Sequence, residues 1–215
     1  MQKYQNRRAA GVMLAEALHG YQNRNDVIVM ALPRGGVPVG YEVAKALHAP
    51  LDVYIVRKLG VPGHHELAMG AIAQGGLPIF NQEIIDQLQV SPAEVESVIA
   101  SEQAELKRRA AVYRGTSPPP LLAGKTVILV DDGIATGATM KAAIVAIRQQ
   151  QPKAIITAVP VADQTIQNSF QILVDAFVCP LLVEDLHAVG LWYDDFSQTE
   201  DAEVHELLTL SRQEN

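Results

Sequence analysis

Short runs of apolar residues recur along the chain, and segments with helical spacing of apolar positions separate them. The apolar runs that predict buried strands are 27–32, 51–56, 127–130, 154–159 and 174–178. Helical patterns follow two of them, at 37–47 and 140–150. Strands that alternate with helices are typical of a mostly parallel sheet with helices on both faces. We therefore predict an α/β fold whose ligands bind where strands end and loops begin.

Two further segments are helical in pattern. Residues 81–116 have no strand of their own, and the sequence Ser-Pro-Ala-Glu at 91–94 is a capping box that starts a helix. We interpret 81–116 as a helical insertion, which serves either as structural cover or as a lid over a site. Residues 199–212 predict a C-terminal helix. At a length of 215 residues, these elements fit one domain, 1–215.

Composition and charge narrow the range of partners. The net charge of −7 disfavours a duplex nucleic acid, which requires a basic surface. No apolar run is long enough to cross a membrane, and the first ten residues are polar, unlike a secretory signal. The single Cys179 cannot form an intrachain disulfide and suits a reducing compartment. We therefore expect a cytoplasmic protein that binds neither nucleic acid nor membrane.

Residues 127–139 carry the most specific chemical pattern in the chain. A buried strand ends at two adjacent carboxylates, Asp131 and Asp132, and a loop of small and hydroxyl residues then leads into a helix. Loop amides, a helix N-terminus and the hydroxyls of Thr136 and Thr139 together form an anion site. The carboxylates would repel that anion, so they require hydroxyl donors or a metal-bound partner. A sugar phosphate, with a vicinal diol beside its phosphate, satisfies both halves.

A second candidate loop, Pro33-Arg34-Gly35-Gly36, lies between the first strand and its helix. The two glycines let backbone amides approach an oxyanion, and Arg34 offers a planar fork of donors. Because this loop and the acid pair both follow strand ends, we expect them to face one another.

A basic pair, Arg57 and Lys58, follows the second apolar run and precedes a Gly/Pro-rich loop. Two cations placed beside a polyphosphate would each form charge-assisted hydrogen bonds of about 1.5–3 kcal/mol. A plain surface pair is the alternative interpretation.

Residues 127–139 resemble the sugar-phosphate signature of the type I phosphoribosyltransferases, and the resemblance extends over most of the chain, from Tyr4 to Phe196. It implies that Asp131 and Asp132 bind the ribose hydroxyls of phosphoribosyl pyrophosphate. The residues it assigns to the 5′-phosphate are Ala135, Thr136, Gly137, Ala138 and Thr139. Those it assigns to pyrophosphate are Pro33, Arg34, Gly35, Gly36, Arg57 and Lys58, the first four in a loop that often contains a cis peptide bond.

The resemblance also implies a base-covering hood at about 180–198. In this segment His187 falls at the base-stacking position, Asp194 at the acidic position, and Trp192 is a further candidate base contact. The indications about the base conflict. Ala135 occupies the position of an aspartate in the hypoxanthine–guanine enzymes and resembles the adenine enzymes, whereas Asp194 resembles the 6-oxopurine hood.

The implied reaction transfers a 5-phosphoribosyl group from pyrophosphate to a nitrogenous base, most readily a purine-like one. Arg34 and Lys58 would neutralise the leaving pyrophosphate. Glu66, a loop carboxylate near the expected site, is a candidate acid or base, and a solvated loop residue is the alternative interpretation. Mg²⁺ would arrive with the donor, with Asp131 and Asp132 as its candidate protein ligands. A homodimer is usual in the family. The alternative function is a non-catalytic regulator that senses a nucleotide or phosphoribosyl pyrophosphate.

Overall fold

The computed structural model describes residues 3–74 and 77–214, apart from the side chains of His65 and Glu66. The strands in these residues are β1 Val27–Ala31, β2 Leu51–Val53, β3 Val56–Val61, β4 His64–Ala73, β5 Ile79–Phe80, β6 Thr126–Val130, β7 Ala154–Ala158, β8 Val161–Asp163, β9 Ala176–Val178 and β10 Leu181–Val183. The α-helices are α1 Arg7–Ala17, α2 Gly36–Leu47, α3 Gln82–Gln87, α4 Pro92–Arg114, α5 Ala138–Gln149, α6 Gln164–Gln171 and α7 Asp201–Glu214.

Five strands form a central parallel sheet in the order β2-β1-β6-β7-β9. Each of the five predicted apolar runs contains one of these strands, so the predicted parallel sheet is confirmed. The two helices predicted beside the runs are also present, as α2 and α5. The strands are almost wholly apolar because both faces of a parallel sheet are covered.

Alternate residues of β6 show how the sheet separates two hydrophobic cores. Ile128 and Val130 pack in the cluster that contains the buried residues of α1, α2 and α7. Val127 and Leu129 point the other way, into the cluster that contains the buried residues of α5. Side chains of successive strand residues alternate between faces, so one strand contributes to both cores. The prediction of helices on both faces is thus confirmed.

The segment 56–80 differs from the prediction of a Gly/Pro-rich loop. Its described residues, 56–74 and 77–80, form a second sheet of three antiparallel strands in the order β3-β4-β5, and residues 62–63 make the turn between the first two. Leu59 and Met69 are fully buried on the face of this sheet that joins the α1–α2–α7 core. The apolar alternation around a two-residue turn is the hairpin pattern that the loop interpretation overlooks.

Helices α3 and α4 occupy the segment predicted as a helical insertion. The capping box is present, since the Glu94 carboxylate accepts a hydrogen bond from the Ser91 amide at 2.9 Å and the Ser91 hydroxyl accepts one from the Glu94 amide. At the other end of α4, the guanidinium of Arg114 is buried and pairs with Asp52 of β2 at 2.7 Å. This buried pair attaches the end of the helix to the edge of the central sheet.

Helices α1 and α6 and the small parallel sheet of β8 and β10 are additional to the predicted elements. The C-terminal helix α7 is present as predicted. Across residues 3–74 and 77–214, no helix combines the length and apolarity that a bilayer crossing requires.

Candidate functional site

The two candidate loops lie side by side at one edge of the central sheet. Strands β1 and β6 pair in parallel with Ala31 opposite Val130, so both strands end at the same level. The Leu32 amide continues this pairing by donating to the Val130 carbonyl at 2.8 Å. The loop at 33–36 therefore begins beside Asp131, and the expectation that the two loops face one another is confirmed.

Gly35 lets the first loop pack directly on the acid pair. A Cβ atom at this position would lie 2.0 Å from Oδ2 of Asp132, a distance that no side chain could occupy. The backbone of Gly35 is otherwise ordinary, with φ −58° and ψ −32°. The peptide bond between Pro33 and Arg34 is cis. Close approach to a carboxylate, rather than backbone conformation, is thus the reason for glycine at 35.

The two carboxylates of the acid pair have different partners. Oδ1 of Asp131 accepts a hydrogen bond from the Asp132 amide at 2.9 Å. Oδ2 of Asp132 accepts one from Nε of Arg7 at 2.8 Å, and this ion pair is largely buried, with 11% and 14% of the two side chains exposed. The charge of Asp132 is therefore balanced by a residue of α1, whereas Asp131 accepts its hydrogen bond from a backbone amide.

Burial and mutual repulsion raise the pKa of the acid pair. The pKa of Asp131 lies well above its usual value because of burial first and the charge of Asp132 second. Burial also raises the pKa of Asp132, and the hydrogen bond and charge of Arg7 oppose that rise. Two neighbouring carboxylates held in a low-dielectric site are suited to accept hydrogen bonds from hydroxyl groups or to bind a cation.

The residues predicted to bind phosphate form an open loop at the start of α5. Ile134 anchors the loop, because its amide donates to the Val161 carbonyl at 2.9 Å. Three of these residues are exposed, namely Thr136, Ala138 and Thr139. The other two, Ala135 and Gly137, are half-buried. Gly137 adopts φ +74° as the residue that precedes the helix, a conformation that favours glycine. Helix α5 begins without an acidic residue in its first turn, which suits an anion at its N-terminus.

Arg34 turns towards the start of α7. Its Nη1 atom lies 3.8 Å from the Glu200 carboxylate and 3.9 Å from that of Asp201, and 34% of its side chain is exposed. Asp201 also accepts a hydrogen bond from the Tyr113 hydroxyl of α4 at 2.8 Å. Both contacts are long for ion pairs. With its side-chain amide oriented to place the oxygen towards Arg34, Gln198 accepts hydrogen bonds from Nη1 at 3.2 Å and Nη2 at 2.7 Å.

The predicted basic pair is divided between the two faces of β3. Nε of Arg57 donates to Glu102 of α4 at 2.6 Å. Lys58 is exposed and points to the opposite face of the strand, the face that also carries Val56. Both residues lie within a strand rather than at its end. Glu66 belongs to β4, and its side chain lies outside the described residues.

Backbone pairing with the N-terminal segment holds the hood in place. Tyr4 pairs with Tyr193, and its amide donates to the Trp192 carbonyl at 2.9 Å. Trp192 is half-buried in the cluster that contains these two tyrosines, whereas His187 and Asp194 are exposed. The structure therefore leaves His187 and Asp194 accessible and uses part of Trp192 for packing.

Three residues of the site are additional to the predicted set. Arg7 binds the acid pair, Tyr4 holds the hood, and Val189 lies so close to Gly133 that a Cβ there would be 2.6 Å from the valine methyl. Arg7 and Tyr4 precede the first strand and carry no local motif, so no sequence signal pointed to them. Val189 lies two residues after His187 in the hood motif, so the motif itself could have pointed to it.

The described residues contain no group of three or more histidine, cysteine or acidic side chains arranged to hold a metal ion. Cys179 is half-buried, and burial raises the pKa of its thiol to about 12. This agrees with a packed thiol rather than a nucleophile.

Comparison with known proteins agrees with this geometry. A family model described as the phosphoribosyl transferase domain matches residues 62–177. The chain belongs to the phosphoribosyltransferase family. Its α/β architecture, with a parallel central sheet and helices on both faces, is as predicted. The match begins at the turn between β3 and β4 and includes the acid pair and the phosphate loop.

Individual relatives of this family member extend the match. A Mycobacterium tuberculosis protein that carries the provisional name of a phosphoribosyl transferase is 41% identical over 204 residues, or 95% of this chain and 46% of its own length. The chain thus spans about half the length of the curated relatives it matches. The crystal structure of the protein TT1426 from Thermus thermophilus has 36% identity and a TM-score of 0.84, over 96% of this chain and 98% of that one.

Proposed function

We propose that this phosphoribosyltransferase-family chain transfers the 5-phosphoribosyl group of phosphoribosyl pyrophosphate to a nitrogenous base and releases pyrophosphate. One observation carries the proposal: a carboxylate pair lies between a glycine loop and the uncapped start of a helix. The site thus has two carboxylates that can accept hydrogen bonds from hydroxyl groups, and on each side of them a loop that can bind a phosphate group. A pentose with phosphates at both ends matches this order.

The donor would lie along the edge formed by β1 and β6. Asp131, which accepts a hydrogen bond from the Asp132 amide, would accept a further one from a ribose hydroxyl. Asp132 would accept a hydrogen bond from the other hydroxyl through Oδ1, because its Oδ2 is bound by Arg7. The open loop at 135–139 and the first amides of α5 would bind the 5′-phosphate. The carboxylates would also position the pentose without contacting its phosphates, which they would repel.

The pyrophosphate end would lie at the loop 33–36. The loop amides and the guanidinium of Arg34 would stabilise the charge that develops as the bond from the anomeric carbon to pyrophosphate breaks. Lys58, whose side chain is exposed on the face of β3 opposite Arg57, is the second candidate cation. In the same step a base nitrogen forms its bond to the anomeric carbon, with inversion there, and loses a proton to an acceptor such as Glu66 or water.

Mg²⁺ fits this donor set. Hard carboxylate oxygens in a group of two, beside a polyphosphate, are the ligands that Mg²⁺ uses when it is bound mainly by its substrate. Asp131 and Asp132 are the residues that would help to hold it, and the ion would supply charge neutralisation of the pyrophosphate.

A purine-like base is the proposed acceptor. His187 and Asp194 are exposed in the hood and would provide a flat ring for stacking and a carboxylate for hydrogen bonds. Val189, packed on Gly133 beside the acid pair, would form the apolar floor. A cytoplasmic location, expected from the composition, and a homodimer, which is usual in the family, accompany this proposal.

The test is a screen of purine and pyrimidine bases with phosphoribosyl pyrophosphate and Mg²⁺, with pyrophosphate release as the measurement. Release that depends on one base, together with formation of the nucleoside monophosphate, would support the proposal and identify the acceptor. Failure of the chain to bind the donor in calorimetry would overturn it.

A second candidate function is a non-catalytic sensor of a nucleotide or of phosphoribosyl pyrophosphate. One observation favours it: Arg57 is paired with Glu102, and Arg34 faces Glu200 and Asp201, so carboxylates face two of the three predicted pyrophosphate cations. Donor binding without turnover for any base in the screen would select the sensor.

A further inference from the structure

Arg7 contacts both halves of the site at once. Its Nε donates to Oδ2 of Asp132 at 2.8 Å, and its Nη1 donates to the Ser197 carbonyl of the hood at 2.6 Å. Its guanidinium also lies 3.8 Å from the centre of the Phe196 ring. Three types of guanidinium contact therefore meet at one side chain that is only 11% exposed.

The place of Arg7 is fixed from both sides. It is the first residue of α1, whose N-terminus is capped by Asn6 through a 2.9 Å hydrogen bond from the Ala9 amide. On the other side, Gly35 leaves room for the ion pair, since a Cβ there would lie 2.0 Å from Asp132 and 3.3 Å from Nε of Arg7. The glycine loop, the acid pair and the first turn of α1 thus pack as one unit.

The ion pair resolves an electrostatic conflict in the site. Two adjacent carboxylates would repel a donor that carries phosphate and pyrophosphate, and they would also repel each other. Arg7 removes one of the two negative charges and holds one oxygen of Asp132 away from the ligand space. Hence Asp131 and the second oxygen of Asp132 remain for the pentose.

On the basis of the proposed function, we propose that Arg7 is a positioning residue for phosphoribosyl pyrophosphate. It does not touch the donor. It fixes the orientation of the Asp132 carboxylate, halves the charge of the acid pair and ties that carboxylate to the hood at Ser197 and Phe196. A guanidinium suits this task because its planar fork can donate in two directions while one face stacks on a ring.

The test compares Arg7→Ala with Arg8→Ala in calorimetric titrations with phosphoribosyl pyrophosphate and Mg²⁺. Arg8 is the matched control, because it is the next residue on α1 and its pair with Glu42 is longer, at 3.3 Å, and half exposed. Loss of a charge-assisted contact should lower donor affinity about tenfold or more for Arg7→Ala and less than about twofold for Arg8→Ala.

Chemical rescue separates a role of charge from a role of packing. Guanidinium chloride at about 20 mM, far below the molar denaturing range, should restore most of the lost affinity of Arg7→Ala. Urea at the same concentration has the same planar shape without the charge and should not, and sodium chloride controls for ionic strength. Rescue by guanidinium alone supports the proposal. Equal rescue by urea, or no rescue of the folded variant, overturns it.

Two further outcomes are decisive. Donor affinity of Arg7→Ala within twofold of the unmodified chain overturns this inference and leaves the proposed function standing. Absence of donor binding to the unmodified chain overturns the proposed function itself. If Arg7→Ala does not fold, Arg7→Gln takes its place, since an amide can donate to Asp132 without charge. A tenfold loss of donor affinity in the folded Gln variant supports the proposal, and unchanged affinity overturns it.

Discussion

The two loops at the ends of β1 and β6 and the surrounding hood are built in different ways. Each loop is a continuous segment, whose position follows from the strand before it and the helix after it. The hood is held by residues that are remote in sequence, since Tyr4 pairs with Tyr193 and Arg7 binds both Asp132 and Ser197. The positions of side chains on continuous loops can therefore be derived from sequence. The positions of side chains that depend on remote contacts cannot.

The largest expected effect is at the two loops rather than at the hood. Changing Asp131 and Asp132 together to Asn should remove two charged acceptors of the ribose hydroxyls. We expect donor affinity to fall about 100-fold or more, because each charge-assisted hydrogen bond contributes about 1.5–3 kcal/mol. Calorimetry with phosphoribosyl pyrophosphate and Mg²⁺ measures this, and circular dichroism checks the fold. Unchanged affinity in a folded protein would contradict the assignment.

Gly35→Ala tests whether the contact between the loops matters. Its new methyl would meet the Asp132 carboxylate, so the ion pair with Arg7 must shift. Donor affinity should fall about tenfold, and unfolding should become easier by about 1–3 kcal/mol, the usual cost of overpacking. Gly20→Ala is the control, because no atom lies within 4 Å of its Cβ position. Equal behaviour of the two variants would refute the argument from close approach.

Arg57 and Lys58 provide a comparison within one strand. Lys58→Met should slow pyrophosphate release about tenfold if its charge assists the leaving group. Arg57→Met should mainly remove the pair with Glu102, with less than about 1 kcal/mol lost from the free energy of unfolding, because the pair is partly exposed. The two rates are measured with the base found in the screen. A larger kinetic effect of Arg57→Met would reverse the assignment.

A substitution in the hood should affect only the binding of the acceptor base. His187→Ala should raise the KM for the base about threefold, since one exposed stacking contact contributes roughly 0.5–1.5 kcal/mol. Donor affinity should not change. His205→Ala, an exposed histidine of α7, serves as the control. A change in donor affinity rather than in base KM would show that the division between loops and hood is wrong.

The last effect distinguishes the two neighbouring carboxylates by the free energy of unfolding rather than by ligand binding. The pKa of Asp131 is raised in the folded chain, so its ionisation disfavours folding above the unfolded pKa of about 3.9. Asp131→Asn should therefore stabilise the chain by about 1 kcal/mol at pH ~7.5, and this gain should shrink towards pH ~4. Asp132→Asn should instead destabilise it, because Arg7 is left without its carboxylate. Urea denaturation at both pH values measures the difference.

The central sheet could be predicted because its strands are apolar runs bounded by loops with distinct chemistry. The positions of the acid pair and of the loop at 135–139 could be predicted for the same reason, as a local pattern. The hairpin β3–β4 is missed because glycine and proline at 60–63 outweigh the alternation of Leu59 and Val61. The division of Arg57 and Lys58 between two faces follows from that strand and could not be predicted without it.

The N-terminal contribution to the site could not be predicted. Arg7 and Arg8 are adjacent arginines at the start of a helix, and nothing local distinguishes the buried one from the exposed one. Only the packing of α1 against the central sheet and the hood decides which guanidinium meets Asp132. Side chains selected by tertiary packing carry no periodic or motif signal in a single sequence.

The pairing of Ala31 with Val130 has a consequence for how such proteins can diversify. Because both ligand loops leave the sheet at this level, the spacing between them is set by the interior of the sheet and not by their own residues. A slip of one residue would displace one loop by about 3.3 Å and turn its strand over. Loop residues can therefore be exchanged without changing the distance between the two loops, which the register of the strands keeps constant.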